Sequence, residues 1–359
     1  MHMSSPSAEV HEGLEGVVVT RTALSRVDGE AGRLVIAGAD VETLAKTSTF
    51  EQAVTRIFGA AAISTDGVEQ RIREGREEAF AIARRLEPAL GCPEPMVALR
   101  AATDLFTPDI AEDPARIVGA LGWVAAVHAR GSVVAPSSSR HAHDMMRIMA
   151  DGPLLDARAD ALDAYLVTVM DHGMNASTFA ARVVASTASD VLSCVAAALA
   201  ALKGPLHGGA PGPVLDMLDA IGTPENAQKW LEDEIAAKRR IMGMGHRVYR
   251  VRDPRAAVLE SASAKLEAAG VTSARLPLAR AVEKTARDIL AKRYPNRSLD
   301  TNVEFYTAIL LDTANVPRTH FSAMFAAGRV AGWLAHVAEQ RAKGRLIRPE
   351  SEYIGPMPA

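Results

Sequence analysis

The sequence predicts an all-α fold in two domains, preceded by a short N-terminal β hairpin. Three observations carry this expectation. From about Val41 onward, apolar residues recur at spacings of three and four within alanine-rich sequence, the pattern of helices that bury one face. Before that point, Gly16-Val17-Val18-Val19-Thr20 and Gly32-Arg33-Leu34-Val35-Ile36 are short β-branched runs, and Asp28-Gly29 between them is a hairpin-type turn signal. A length of 359 residues exceeds one typical domain. Strand content is expected to end with the hairpin.

The helices follow in order. Leu162, Tyr165, Leu166, Val169 and Met170 share a face of a helix over 161–172, and Gly173 is placed to stop it, which puts His172 at a helix end. Ser177 or Thr178 starts the next helix, which runs to Lys203 and stops at Gly204. A further helix carries Val214, Leu215 and Leu218. Asp253-Pro254 is an N-cap followed by proline at the first helical position, opening a helix that ends near Gly270 and placing Arg255 in its first turn. Free amides there favour an anion, and a guanidinium adds bidentate pairing. Another helix covers 276–293, and a last long one covers 319–343, where Gly328, Ala331 and Gly332 permit close packing and Gly344 ends it. Ser137-Ser138-Ser139 reads as a surface loop.

Composition narrows the function. A hydrophobic fraction of 48% and a charged fraction of 23% describe an ordinary globular chain. The formal charge of -3 offers no general attraction to nucleic acid or to an anionic membrane, so a small anionic ligand fits better than a polymer. Cys92 and Cys194 are far apart and lack metal-ligand spacing, which argues against a disulfide framework or a zinc site and for a reducing compartment, the cytoplasm. No run approaches the roughly 20 apolar residues of a membrane span, and no signal-peptide core opens the chain. His141-x-His143 lacks a third ligand and reads as a solvated loop.

Two glycine-flanked histidines stand out, in Gly204-Pro205-Leu206-His207-Gly208-Gly209 and in Gly243-Met244-Gly245-His246-Arg247. Each lies where a helical pattern breaks, and the glycines let the backbone bend and a ligand approach. With Asn302-Val303-Glu304-Phe305-Tyr306 they supply two imidazoles and a carboxylate, enough to enolise a carbon acid and polarise a carbonyl. Taken singly, His207 reads as a loop histidine capping a helix and His172 as a helix C-cap. Thr301-x-x-Glu304 also fits a capping box. The constellation favours the chemical reading.

These segments resemble the citrate synthase family. The resemblance runs through Gly13-Leu14-Glu15-Gly16-Val17, His172 to Thr178, Gly204 to Gly209, Met242 to Arg255, Asn302 to Tyr306, Gly328 to His336 and Arg345-Leu346-Ile347-Arg348-Pro349, and is weakest between about 60 and 150. It implies a citrate synthase-like helical fold, with a discontinuous large domain over 1–207 and 313–359 and a small domain over 208–312. It also implies condensation of oxaloacetate with acetyl-CoA and hydrolysis of citryl-CoA, with no metal or prosthetic group, in a homodimer of the short subgroup. Glu304 would be the base, His207 the donor to the enolate oxygen and His246 the donor to the ketone oxygen. His172, Arg255, Arg329 and Arg348 would bind oxaloacetate, the last from the partner subunit. Ile241, Met242, Gly243 and Met244 would hold the CoA adenine, with Arg247 and Arg250 on its phosphates.

Two departures from the family stand out. Most members carry aspartate where this chain has Glu304, and the family's arginine and tyrosine around a glycine are replaced by Ala37-Gly38-Ala39-Asp40. Aspartate and glutamate have similar intrinsic pKa values, about 3.9 and 4.3; the extra methylene instead moves the carboxylate by about an ångström. The rival readings are a 2-methylcitrate synthase using propionyl-CoA, a catalytically silent paralogue that binds dicarboxylate or CoA, and a helical scaffold without a site. The last leaves the glycine-bracketed histidines without a purpose, and a pure binder has no need of an enolate donor.

Overall fold

A computed structural model of the chain describes residues 10–358 except 209, 210, 247, 248, 250, 272, 274, 296 and 298. At its N-terminal end Ser25–Asp28 (β1) pairs antiparallel with Arg33–Ile36 (β2), Asp28 opposite Arg33, and β2 pairs with Ala39–Asp40 (β3). The hairpin turns through Asp28-Gly29 as the sequence suggests, but its first strand is 25–28 and Gly16–Thr20 is not a strand. Val18 in that run is 84% exposed, so β-branched composition there has no partner strand to satisfy. The third strand, also not expected, follows a turn in which Ala37 and Gly38 take positive φ values of 45° and 81°. Arg33 pairs with Asp40 at 3.0 Å across it, and Arg56 Nε donates to the Ala37 carbonyl at 2.8 Å. The 37–40 departure is thus a β-turn held by its own ion pair.

The remainder is helical. Val41–Thr47 (α1), Phe50–Ala60 (α2), Val68–Ala81 (α3), Ala83–Leu90 (α4), Pro95–Thr103 (α5), Pro108–Ala111 (α6) and Pro114–Arg130 (α7) lead to His141–Met149 (α8) and Asp156–Val169 (α9). Ala176–Ser186 (α10), Val191–Leu202 (α11), Pro211–Ile221 (α12) and Ala227–Ala236 (α13) come next. Pro254–Ala268 (α14), Arg275–Arg293 (α15), Val303–Thr313 (α16) and Phe321–Lys343 (α17) complete the set. The helix expected from Ser177 to Lys203 is two helices. Ala188 takes φ +63°, and the Asp190 side chain accepts from the Ser193 amide, so the chain stops and recaps where the apolar pattern alone reads as continuous.

Helix α17 runs buried along most of its length and packs on α2, α5, α7, α9, α10 and α11. Its glycines allow it to touch the backbone of the last turn of α9. A Cβ on Gly328 would lie 2.7 Å from Val169 Cγ2, and one on Gly332 would lie 2.3 Å from the Met170 carbonyl oxygen. That approach brings the side chains of α17 to the segment after α9, where Gly173 takes φ +60°. Helix α14 packs on both α9 and α16, and α16 also packs on α12.

His141 is not in a solvated loop. It is the first residue of α8, fully buried, stacked on Phe50 and within 3.3 Å of the Arg76 guanidinium. His143 instead faces Asp160 at 3.1 Å. Among the described residues no cluster of His, Cys, Asp and Glu could hold a metal ion, Cys92 and Cys194 are free thiols, and no helix is long and apolar enough to cross a membrane.

Replacing Gly332 by alanine must push α17 off α9, and overpacking of this kind costs about 1–3 kcal/mol. A lowered urea midpoint at unchanged slope is the expected result; equal stability would mean the helices do not meet as described.

Candidate active site

The site forms where the starts of helices converge. His172 follows α9 and precedes α10, His207 lies in the turn before α12, Arg255 is the second residue of α14, and Glu304 is the second residue of α16. The partial positive charge and open amides of helix N-termini favour anions, so the geometry already selects negative ligands.

The loop bearing His246 is tied to the start of α16. Met244 bridges to Thr301, the Gly245 amide donates to the Asp300 carbonyl at 2.7 Å, and the Asn302 amide donates to the Gly243 carbonyl at 3.0 Å. The Asn302 side chain donates to the Gly245 carbonyl at 2.9 Å and accepts from the Glu304 amide at 3.1 Å. Asn302 is therefore the cap of α16, and the capping box from Thr301 is not formed. Thr301 is buried with its hydroxyl on Glu283 at 2.6 Å, and the Glu304 carboxylate has no hydrogen-bond partner among the described residues. Gly243 has φ +76°, and a Cβ there would lie 2.7 Å from the Phe305 ring. Only glycine fits so close a crossing.

Both imidazoles have their tautomers set by backbone amides, which can only donate. The Ser177 N–H points at His207 Nε2 at 3.3 Å, which leaves the ring proton on Nδ1. The Ser177 hydroxyl lies 2.8 Å from the same nitrogen and takes the Trp333 indole N–H at 3.1 Å. In His246 the pattern is reversed: the shorter contact, Tyr249 N–H donating to Nδ1 at 3.0 Å, puts the proton of the neutral ring on Nε2, with Asp253 Oδ2 3.9 Å away. Arg255 Nη2 at 3.4 Å can only donate and is no partner for that N–H. Burial, followed by the Arg329 charge for His207 and the Arg255 charge for His246, lowers each pKa to about 4. Burial and the same two guanidinium groups hold His172 well below the usual histidine range, and its Nε2 lies 3.2 Å from the Tyr249 hydroxyl. Its ring meets that of His246 edge-on at 5.8 Å. All three rings are neutral donors at pH 7.

Two buried arginines supply the charge. Arg255 forks onto Asp253 through Nε at 3.0 Å and Nη2 at 2.7 Å. Arg329 donates from Nε to the Val169 carbonyl at 2.5 Å and stacks over Phe325 at 4.6 Å, while its Nη2 is buried without an acceptor among the described residues. Desolvation lowers its pKa to about 10, so it keeps its charge. A buried donor left open beside neutral imidazoles is chemically suited to a carboxylate. Burial raises the Glu304 pKa against the pull of Arg255, which makes its carboxylate a better base than a solvated one.

A cavity of about 480 Å³ reaches His246 and is lined by Arg239, Arg240, Ile241, Met244 and Arg297. Met242 and Gly243 belong to the same loop. Arg247 and Arg250 lie outside the described residues. Arg348 is exposed in the extended segment after α17 and has no contact with the histidines. Tyr249, Asp253 as an arginine partner, Ser177 and Asn302 were not legible as site residues. The usable signals were the placement of Tyr249 three residues beyond His246, and two cap-type residues beside candidate ligands.

Residues 13–350 match the family described as "Citrate synthase, C-terminal domain". The citrate synthase of Synechocystis is 35% identical over 375 residues, covering 99% of this chain and 93% of the relative. The crystal structure of citrate synthase from Pyrobaculum aerophilum superposes with a TM-score of 0.85 at 32% identity, covering 99% of this chain and 95% of that one. A ternary complex of carboxymethyl coenzyme A and oxaloacetate with the Thermoplasma acidophilum citrate synthase superposes with a TM-score of 0.76 at 28% identity, covering 98% and 97%.

The depressed imidazoles make a prediction about pH. Below about 6.5 the unfolded chain takes up protons that His207 and His246 refuse until about 4. Stability is therefore complete above 6.5 and falls as pH drops toward 4. Histidine Cε1–H resonances of these two rings, followed by NMR, should not titrate above pH 5, and a midpoint near 6.5 for either would refute the burial argument.

Proposed function

The chain belongs to the citrate synthase family, and on that premise we propose that it joins the methyl carbon of acetyl-CoA to the keto carbon of oxaloacetate and hydrolyses the resulting citryl-CoA thioester to citrate and CoA. The observation that carries the reading is the pair of neutral imidazoles with opposite tautomers, set beside a carboxylate and a buried guanidinium Nη2 that have no hydrogen-bond partner among the described residues.

A thioester methyl is a weak acid, so removing its proton requires a base and a donor acting together. Glu304 takes the proton, and His207 Nδ1–H donates to the thioester oxygen as charge develops on it. The enolate carbon then attacks the keto carbon, whose oxygen receives the His246 Nε2–H. A neutral donor suits both steps, because an imidazolium in the resting site would be poorly matched to a pKa near 4. Arg329, Arg255 and His172 bind the oxaloacetate carboxylates. Each step is a proton transfer, a carbon–carbon bond formation or a hydrolysis, which these groups supply without metal or prosthetic group.

The cavity beside His246 is the proposed CoA site, with Ile241 to Met244 at the adenine and Arg247 and Arg250, with Arg240, near the phosphates. Residues 208–312 are proposed as the smaller domain, closing over the remainder so that water is excluded during enolisation. The protein is proposed to act as a homodimer in the cytoplasm. In support, Phe179, Val183, Val184 and Leu192 on α10 and α11 are apolar and only half buried, Tyr353 and Ile354 of the extended C-terminal segment are 69% and 92% exposed, and both thiols are free.

Steady-state release of free CoA tests the activity, with kcat/KM compared for acetyl-CoA and propionyl-CoA; a preference for the latter would reassign the enzyme as a 2-methylcitrate synthase. One methyl is worth only about 1–3 kcal/mol of discrimination, so a ratio of 10–200 is the expected scale. Glu304→Gln should lower kcat by about 10²–10⁴-fold and leave oxaloacetate affinity nearly unchanged; an active variant would remove Glu304 from the mechanism. If Arg348 completes the partner's site, mixing subunits of inactive Glu304→Gln with subunits of Arg348→Ala should restore about a quarter of parental activity, since one site in each mixed dimer has both groups. No recovery would place Arg348 in its own subunit's site or in none.

A further inference from the structure

Behind His172 lies a buried polar assembly that the chemistry above does not use. Asp171, the preceding residue, is wholly buried, and its Oδ2 accepts the Ser25 hydroxyl at 2.5 Å. The same Ser25 oxygen accepts the Gly173 amide at 3.0 Å. One hydroxyl of β1 therefore ties the Asp171 carboxylate to the Gly173 backbone amide, one on each side of His172. From the other direction, Arg182 Nη1 donates to His336 Nδ1 at 2.8 Å, which puts the ring proton on Nε2, 3.2 Å from Asp171 Oδ1 and 3.3 Å from Oδ2. Glu339 balances Arg182 at 2.7 Å. Burial would push the Asp171 carboxyl up, yet His336, Arg329 and Ser25 hold it below its usual range, so it stays ionised.

A buried carboxylate is expensive unless it is paired and hydrogen-bonded, and replacing such a group by apolar side chains often leaves a protein no less stable. The place of this one is informative: it lies one residue from a proposed ligand of oxaloacetate, and its charge faces the guanidinium of another. Ser25 and His336 belong to elements more than a hundred residues away on either side, and both converge on this carboxylate.

We propose that Ser25, Asp171 and His336 are positioning residues for the keto-acid site, holding the backbone at His172 so that oxaloacetate meets a preformed seat. The inference rests on oxaloacetate being the substrate. The assembly acts on ground-state binding of oxaloacetate and leaves proton abstraction by Glu304 alone. Ser25→Ala and His336→Leu should each raise the oxaloacetate KM and its calorimetric Kd about tenfold, the scale of one hydrogen bond to a charged group. kcat and the acetyl-CoA KM should stay within about twofold of the parent. His336→Gln, which keeps an N–H for Asp171 and an acceptor for Arg182, should recover most of the affinity, an outcome a merely structural role would not produce. Parental affinity in Ser25→Ala and His336→Leu, or a fall in kcat with KM unchanged, would overturn the proposal; if His336→Leu does not fold, Ser25→Ala decides. A parent protein that binds no oxaloacetate would instead refute the functional reading, and the positioning claim would then rest on the His172 ring resonance, which should move in Ser25→Ala and not in His336→Gln.

Discussion

Asn302 is the residue on which the rest of the site depends. Its backbone amide holds the Gly243 carbonyl, its side-chain N–H₂ holds the Gly245 carbonyl, and its side-chain oxygen caps α16 at Glu304. The loop carrying one imidazole and the helix carrying the carboxylate are thereby fixed to each other, by this residue together with the backbone contacts of Asp300 and Thr301. Placing reacting groups is worth more than changing their intrinsic strength, because a displacement of about an ångström can cost on the order of 100-fold. The backbone at Glu304 is held by that cap, while its carboxylate has no hydrogen-bond partner among the described residues.

Charge at the site is arranged by subtraction. Arg255 is answered by Asp253, whereas Arg329 is only partly offset by Asp171, and burial, assisted by these guanidinium groups, suppresses protonation of the three histidines. These cations thus help to keep the imidazoles in the form that donates a hydrogen bond without carrying charge. Electrostatic catalysis by neutral donors in a dry site loses nothing to reorganisation when charge develops.

Much of this was legible in the sequence, for reasons that differ from residue to residue. The start of α14 is written in local chemistry, Asp253-Pro254, and the end of α17 in Gly344, whereas α16 is capped by Asn302 and not by the Thr301 box that its sequence offers. His207 and His246 were recognisable because the glycines beside them are costly unless the backbone needs them. What could not be read depends on long-range pairing. The strand at 25–28 is less β-branched than the run at 16–20 that it displaced, and only its registry with Arg33–Ile36 selects it. The break between α10 and α11 is a choice by Asp190 to cap, which apolar periodicity cannot reveal. Ser177, Tyr249 and Asp171 look like ordinary helix-start, loop and helix-end residues until tertiary packing brings their partners to them. His141 misleads in the opposite sense, since a histidine in a polar-looking stretch proves to be part of the core beside Arg76.

The open Nη2 of Arg329 has an implication for the life of the protein between substrates. A buried donor with no acceptor among the described residues carries a desolvation cost that a bound carboxylate would remove. Metabolite supply would then act as a folding chaperone of a thermodynamic kind: copies that meet their dicarboxylate persist, and starved copies are the first to open to proteases.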